Sequence, residues 1–168
     1  MKIIGVLMCI AFLTPGVIAA EDITISKSGP PKVGIDVAGF QSGSTDKEKA
    51  FNSTLLHDLE RWGWFRLRKE SAIRLTGNCR AEGGSLRVTA SVVNKFDGKS
   101  YMQRNYSEKI SSARKLAHRV ADDIVFAVKG SHGIAATRIA LIGEVNGRKD
   151  LYICDADGQR LVKMTRDG

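Results

Sequence analysis

The feature that most constrains this chain is a change of apolar period between residues 113 and 158. Ala113, Ala117, Val120, Ile124 and Val128 recur at helical intervals, which keeps them on one face turned toward a core. Ser112 stands where an N-cap belongs, and Gly130 where a left-handed stop belongs. After a joint holding Gly130 and Gly133, the pattern changes. Thr137, Arg138, Ile139, Ala140, Leu141 and Ile142 have strand chemistry, and Leu151, Tyr152, Ile153 and Cys154 answer them. Asp157-Gly158 supplies a turn, read as type I with a glycine bulge.

These segments, taken in order, resemble one family. They are Arg114-Lys115-Leu116-Ala117-His118-Arg119-Val120-Ala121-Asp122-Asp123-Ile124, then Gly130-Ser131-His132-Gly133, then Thr137-Arg138-Ile139-Ala140, then Leu151-Tyr152-Ile153-Cys154-Asp155-Ala156-Asp157-Gly158. Together they are similar to the TolB family, periplasmic proteins of the Tol-Pal cell-envelope system. Several motifs in the right order make the likeness specific over residues 114–158. It is traceable, more weakly, back to Glu21. Ala135 departs from the family, which usually carries an aromatic there. In that family the same stretch joins a small α/β domain to the first blade of a β-propeller. The resemblance therefore implies residues 1–20 as a signal peptide, residues 21–134 as the α/β domain, and residues 135–168 as the first strands of a truncated propeller.

The amino terminus agrees with an exported chain. Lys2 gives the positive end, and the apolar run from Ile3 to Leu13 is too short for a membrane anchor. Thr14-Pro15-Gly16 breaks the run, and small residues place cleavage after Ala19 or Ala20. No later stretch reads as a membrane span, so no direct membrane insertion is expected once the leader is cleaved. The formal charge of +8 is compatible with nucleic acid, anionic lipid or an acidic partner. Simple solubility accounts for it as well. An exported protein does not meet nucleic acid as a partner. The cluster Arg66, Arg68, Lys69, Arg74 and Arg80 therefore reads as a solvated sheet face or rim, despite Trp64 and Phe65 nearby.

Residues 21–28 alternate as a short strand or a tail before Gly29-Pro30-Pro31. The resemblance makes Glu21, Asp22, Ile23, Thr24 and Ile25 a partner-binding tail, able to dock on its own domain or reach a TolA-like inner-membrane protein. A Pal-like lipoprotein would be a partner only if a propeller is present.

Residues 32–37 read as a strand with Val33, Ile35 and Val37 on one face, and residues 38–44 as a loop. Thr45 and Glu48 have capping-box spacing before a helix striped by Phe51, Leu55, Leu59 and Trp62. Gly63 ends that helix, and Trp64-Phe65 opens a strand. Residues 71–79 and 85–94 read as strands. In the second, Leu86, Val88, Ala90 and Val92 share one face. Asp97-Gly98 turns the chain into a return strand over residues 101–110. The expected fold is α/β (α+β): a mixed sheet of about five strands with two helices on one face, followed by an incomplete propeller blade.

No catalytic residue, cofactor or metal site emerges. Gly98-Lys99-Ser100 lacks the earlier glycine of a phosphate loop, since Val93 is there. No Gly-x-Ser-x-Gly elbow occurs. Asp155-Ala156-Asp157-Gly158 opens like a calcium loop, but Arg160 and Arg166 hold the positions of its glycine and glutamate. Of the three histidines, His57 lies beside Asp58, His132 lies in the joint, and His118 stands four residues before Asp122. His118 and Asp122 are two ligands where a metal needs three or four, so they read as a local pair. Cys79 and Cys154 read as buried thiols, in a compartment that would also permit a bridge.

The function implied is a non-enzymatic periplasmic adaptor of the Tol-Pal system, supporting envelope integrity and division. The alternative is a similar small domain serving outer-membrane assembly or the activation of peptidoglycan synthesis.

Overall fold

The structure is a computed structural model and describes residues 31–165. The leader and the tail Glu21, Asp22, Ile23, Thr24 and Ile25 lie outside the described residues. The elements run β1 (Val33–Ser42), α1 (Asp46–Arg61), β2 (Phe65–Leu67), β3 (Ile73–Glu82), β4 (Ser85–Asn94), β5 (Ser100–Lys109), a short 3-10 turn (Ile110–Ser112), α2 (Ala113–Lys129), β6 (Arg138–Val145), β7 (Arg148–Asp155) and β8 (Val162–Lys163).

The first five strands form one mixed sheet in the order β2-β1-β3-β4-β5. Strand β1 is parallel to both β2 and β3, and the β3–β4 and β4–β5 pairs are antiparallel. This is the expected mixed α/β architecture. In β4 the alternation holds in full, because Leu86, Val88, Ala90 and Val92 are all buried. Opposite them in β3, Leu75 pairs with Val92 and Cys79 with Val88. Helices α1 and α2 cover this face. Phe51, Leu55 and Leu59 enter the core from α1, and Leu116, Ala117, Val120 and Ile124 from α2. A fully buried side chain of this size contributes about 1.5–3 kcal/mol.

The capping box at Thr45 is present and does more than cap. Thr45 Oγ1 accepts the Glu48 N–H at 3.4 Å, and the Glu48 carboxylate accepts the Thr45 N–H at 2.8 Å. The other carboxylate oxygen accepts the Ala81 N–H at 2.8 Å, tying the start of α1 to β3. Hydrogen bonds from Thr45, then from the Ala81 N–H, hold the Glu48 carboxyl below its usual range. Helix α2 stops at Gly130 in the left-handed conformation, φ 71°, with its N–H on Phe126 O. Ser112 precedes α2 but makes no side-chain capping bond.

Three local expectations need correction. Residues 38–42 are strand, not loop. A register shift between Asp36 and Gly39 lets β1 keep pairing with β3 as far as Ser42. Arg74 is not a free surface cation: it is half-buried and its guanidinium meets Asp36 at 3.3 Å, as does the Lys95 ammonium. Arg66, Arg68, Lys69 and Arg80 are exposed as expected. The third correction concerns His118 and is described with the site.

The last three strands form a separate antiparallel sheet in the order β6-β7-β8. Asn146 (φ 53°) and Gly147 (φ 77°) make the β6–β7 turn, a left-handed pair that matches strand twist. At Asp157-Gly158 the expected turn is present. The Gly158 N–H donates to Asp155 O at 2.8 Å, and the Asp155 N–H to Gln159 O at 2.9 Å. Among the described residues no helix is long and apolar enough to cross a membrane.

Candidate functional site

The polar centre of the molecule lies where the two sheets meet. Thr54 and Asp58 are four residues apart in α1, and Arg114 and His118 are four apart in α2. That spacing puts each pair on one helical face. The helices pack side by side, so the two polar lines meet. The β7–β8 turn then brings Asp155, Asp157 and Arg160 against them.

His118 is only 3% exposed. Its Nδ1 lies 2.6 Å from Asp58 Oδ2, and its Nε2 lies 3.7 Å from Asp157 Oδ2. Arg114 divides its guanidinium between the two units: one nitrogen donates to Thr54 Oγ1 at 3.1 Å and the other to the Asp157 carboxylate. Arg160 grips Asp155 with two N–H bonds of 2.5 and 2.7 Å. Those bonds hold the Asp155 carboxyl below its usual range against the opposing effect of burial. Among the described residues, Asp58 Oδ1 and His118 Nε2 are buried without a hydrogen-bond partner.

The sequence pairs His118 with Asp122, and the structure corrects this. Asp122 faces the joint, where its carboxylate accepts the N–H groups of Ala135 and Ala136, both at 2.9 Å. A side chain on Gly133 would collide with that carboxylate, its Cβ falling 2.1 Å from Oδ1. Ala135 is buried beside it in the core. A residue outside α2, sixty positions earlier, takes His118 instead. The signal available in the sequence was the pair of polar residues at four-residue spacing beside the apolar stripe of each helix.

His57 remains half in solvent, 3.9 Å from Asp58 Oδ1. His132 is exposed and stacks on Phe126. Cys79 and Cys154 are both free and buried. Burial pushes the Cys79 thiol up to about 12.

The Asp58–His118 pair orients an imidazole as a hydrolytic triad would. Yet Nε2 has no hydroxyl or thiol hydrogen-bonded to it among the described residues. What faces it is carboxylate. The arrangement can hold two parts of a chain together, and it can receive a proton or a cation.

Proteins similar to this chain share one name. The Tol-Pal system protein TolB of Polaromonas naphthalenivorans is 26% identical over 179 residues, covering 94% of this chain and 42% of that relative. A protein TolB homolog of Chlorobaculum tepidum is 34% identical over 68 residues, 40% of this chain and 16% of the relative. The chain is similar in sequence to TolB proteins over most of its length. No family model matches it. The crystal structure of TolB from Acinetobacter baumannii superposes with a TM-score of 0.68 at 18% identity, over 79% of this chain and 38% of that one. At that identity the match speaks for the fold. The chain spans less than half the length of the curated TolB relatives it matches.

Proposed function

We propose that this chain acts as a non-enzymatic periplasmic adaptor of the Tol-Pal trans-envelope system, supporting outer-membrane integrity and cell division by binding other proteins. The observation that carries this reading is the likeness to relatives named Tol-Pal system protein TolB, which runs through both the α/β domain and the following strands. The joint agrees with a binding role in that its polar residues tie α1, α2 and the β7–β8 turn together.

The small sheet supports the second half of the reading. Along β6, Ile139, Leu141 and Val145 alternate with Ala140 and Ile142, and all five are exposed. A strand apolar on both faces is suited to cover on both sides, as in a propeller blade stacked between neighbours. Residues 135–168 then correspond to the opening strands of a first blade. A Pal-like lipoprotein enters as a partner only where further blades are present.

Binding to a TolA-like inner-membrane protein would run through Glu21, Asp22, Ile23, Thr24 and Ile25. The tail would pair its backbone with a partner sheet, or rest against its own domain. Calorimetric titration of the periplasmic region of the TolA-like protein tests this, using the mature chain and a version lacking residues 21–28. The expected result is measurable affinity for the first and at least a tenfold loss for the second. Equal affinities would remove the tail from the mechanism. No affinity in either would remove the adaptor reading.

A further inference from the structure

The unpartnered Nε2 of His118 is the buried feature that the adaptor reading leaves unexplained. It faces Asp157 Oδ2 at 3.7 Å, too far for a hydrogen bond. In a tetrahedral zinc site with bonds of about 2.0–2.2 Å, two ligand atoms stand about 3.3–3.6 Å apart. Asp155 adds a third donor: one ligand atom each from His118, Asp155 and Asp157 lie within 4.8 Å of one another. The geometry points to a divalent metal site of the zinc class at the joint, with His118 Nε2, Asp155 and Asp157 as protein ligands and water completing the shell.

Three further observations bear on the site. Asp58 sits on the far nitrogen of the same imidazole at 2.6 Å. That carboxylate–histidine arrangement fixes the ring, keeps the proton on Nδ1 and leaves the Nε2 lone pair free for a metal. His118 and Asp155 also line a cleft of about 300 Å³ between α2 and the small sheet, so an ion has a way in. The third is charge. Asp58, Asp155 and Asp157 face Arg114 and Arg160 across the cluster, and the Arg138 guanidinium also acts on Asp155, so three carboxylates meet three guanidinium groups. The arginines do not use up the carboxylates, because each ionised carboxylate offers about four acceptor positions. They do limit affinity, and together with a nitrogen ligand they favour a zinc-like ion over calcium.

Such an ion would bridge α2 to the β7–β8 turn and so staple the α/β domain to the sheet that follows. This inference is independent of which protein the chain binds.

The test is titration of the purified, chelator-treated protein with zinc against a chromophoric chelator, together with the visible spectrum of the cobalt(II) form. The expected result is stoichiometric binding and a tetrahedral cobalt spectrum. His118→Ala should abolish both, and Asp155→Asn should weaken binding at least tenfold. Asp58→Asn should weaken it about 10–100-fold through loss of ring orientation. The surface control His132→Ala should leave it unchanged. Circular dichroism separates a variant that has not folded from one that folds without binding. Asp155→Asn keeps the test decisive if His118→Ala does not fold. No stoichiometric binding by the wild type overturns the proposal. So does binding that persists in folded His118→Ala and Asp155→Asn. A histidine that only exchanges a proton between Asp58 and Asp157, with stability set by pH and untouched by zinc, overturns it as well.

Discussion

The two sheets of this chain are built on opposite terms. The five-stranded sheet is sealed on one face: its apolar side is covered by α1 and α2, and Ile35, Leu75, Leu86 and Val92 are buried there. The three-stranded sheet is open. Ile139, Ile142, Val145, Leu151 and Val162 all reach solvent, Ile142 at 73% of its surface. The alternating apolar chemistry is similar in both, so the alternation alone does not decide burial. What decides it is whether a second layer lies over the strands. The first sheet has two helices beside it in sequence. The second has a polar joint on one side and a broad apolar surface elsewhere, of the kind that marks an interaction face.

Removing one large side chain from each region gives the sharpest test. Phe51→Ala takes a fully buried ring out of the α1 core and should lower unfolding stability by about 3–5 kcal/mol. Ile142→Ala removes a mostly exposed side chain and should stay within about 0.5 kcal/mol. Urea unfolding followed by circular dichroism measures both. A loss above about 2 kcal/mol in the Ile142→Ala variant would show that the small sheet is covered in solution, by a second copy or another layer.

The same comparison can be made with glycine, at a smaller scale. Gly77 sits in β3 at φ 137°, and a Cβ there would fall 2.0 Å from the carbonyl oxygen of Thr89 on β4. Gly77→Ala forces a backbone shift in the central pair and should cost about 3 kcal/mol. Gly147 is also left-handed, at φ 77°, but nothing lies within 4 Å of its missing Cβ. Gly147→Ala meets only the local conformational penalty, about 1 kcal/mol. It should loosen the β6–β7 hairpin without unfolding the domain. Hydrogen exchange resolves the two. If Gly147→Ala raises exchange across β3 and β4, the sheets are not separate units.

How much of this was legible in the sequence follows the same division. The stripes of α1 and α2, the Thr45–Glu48 capping box and the period-two face of β4 are local patterns, and each is present. What depends on distant partners was not legible. Glu48 reads as a cap, but its bond to the Ala81 N–H requires β3 to arrive. His118 reads as a partner of Asp122 until α1 places Asp58 against it. The first strand after the joint reads as Thr137 to Ile142. The structure continues it to Val145, since Gly143 lies under the Tyr152 ring, where a Cβ would be 2.8 Å away. That misplaced end also hid the Asn146-Gly147 turn, which has strong hairpin chemistry of its own. The polar joint was the least legible part, because its residues come from three elements and only their spacing within each helix is written in the sequence.

The two thiols test the comparison without changing the fold. Cys79 lies in the middle of β3, fully buried, and burial holds its thiol up at about 12. At neutral pH its reactive thiolate is scarce, and exposing it requires opening the five-stranded core. Cys154 is buried too, but it lies in β7 of the thin sheet, next to the joint. Local opening of a small sheet is cheaper than global unfolding. Alkylation of the native protein at pH 8, followed by mass spectrometry with increasing urea, should modify Cys154 first. Cys79 should react only across the main unfolding transition. Simultaneous modification would mean that the joint residues Arg114, His118 and Asp157 couple the two sheets into one cooperative unit. In that event Asp157→Asn, which weakens the contacts of that carboxylate with Arg114 and His118, should restore the order of reaction by freeing the small sheet to open alone.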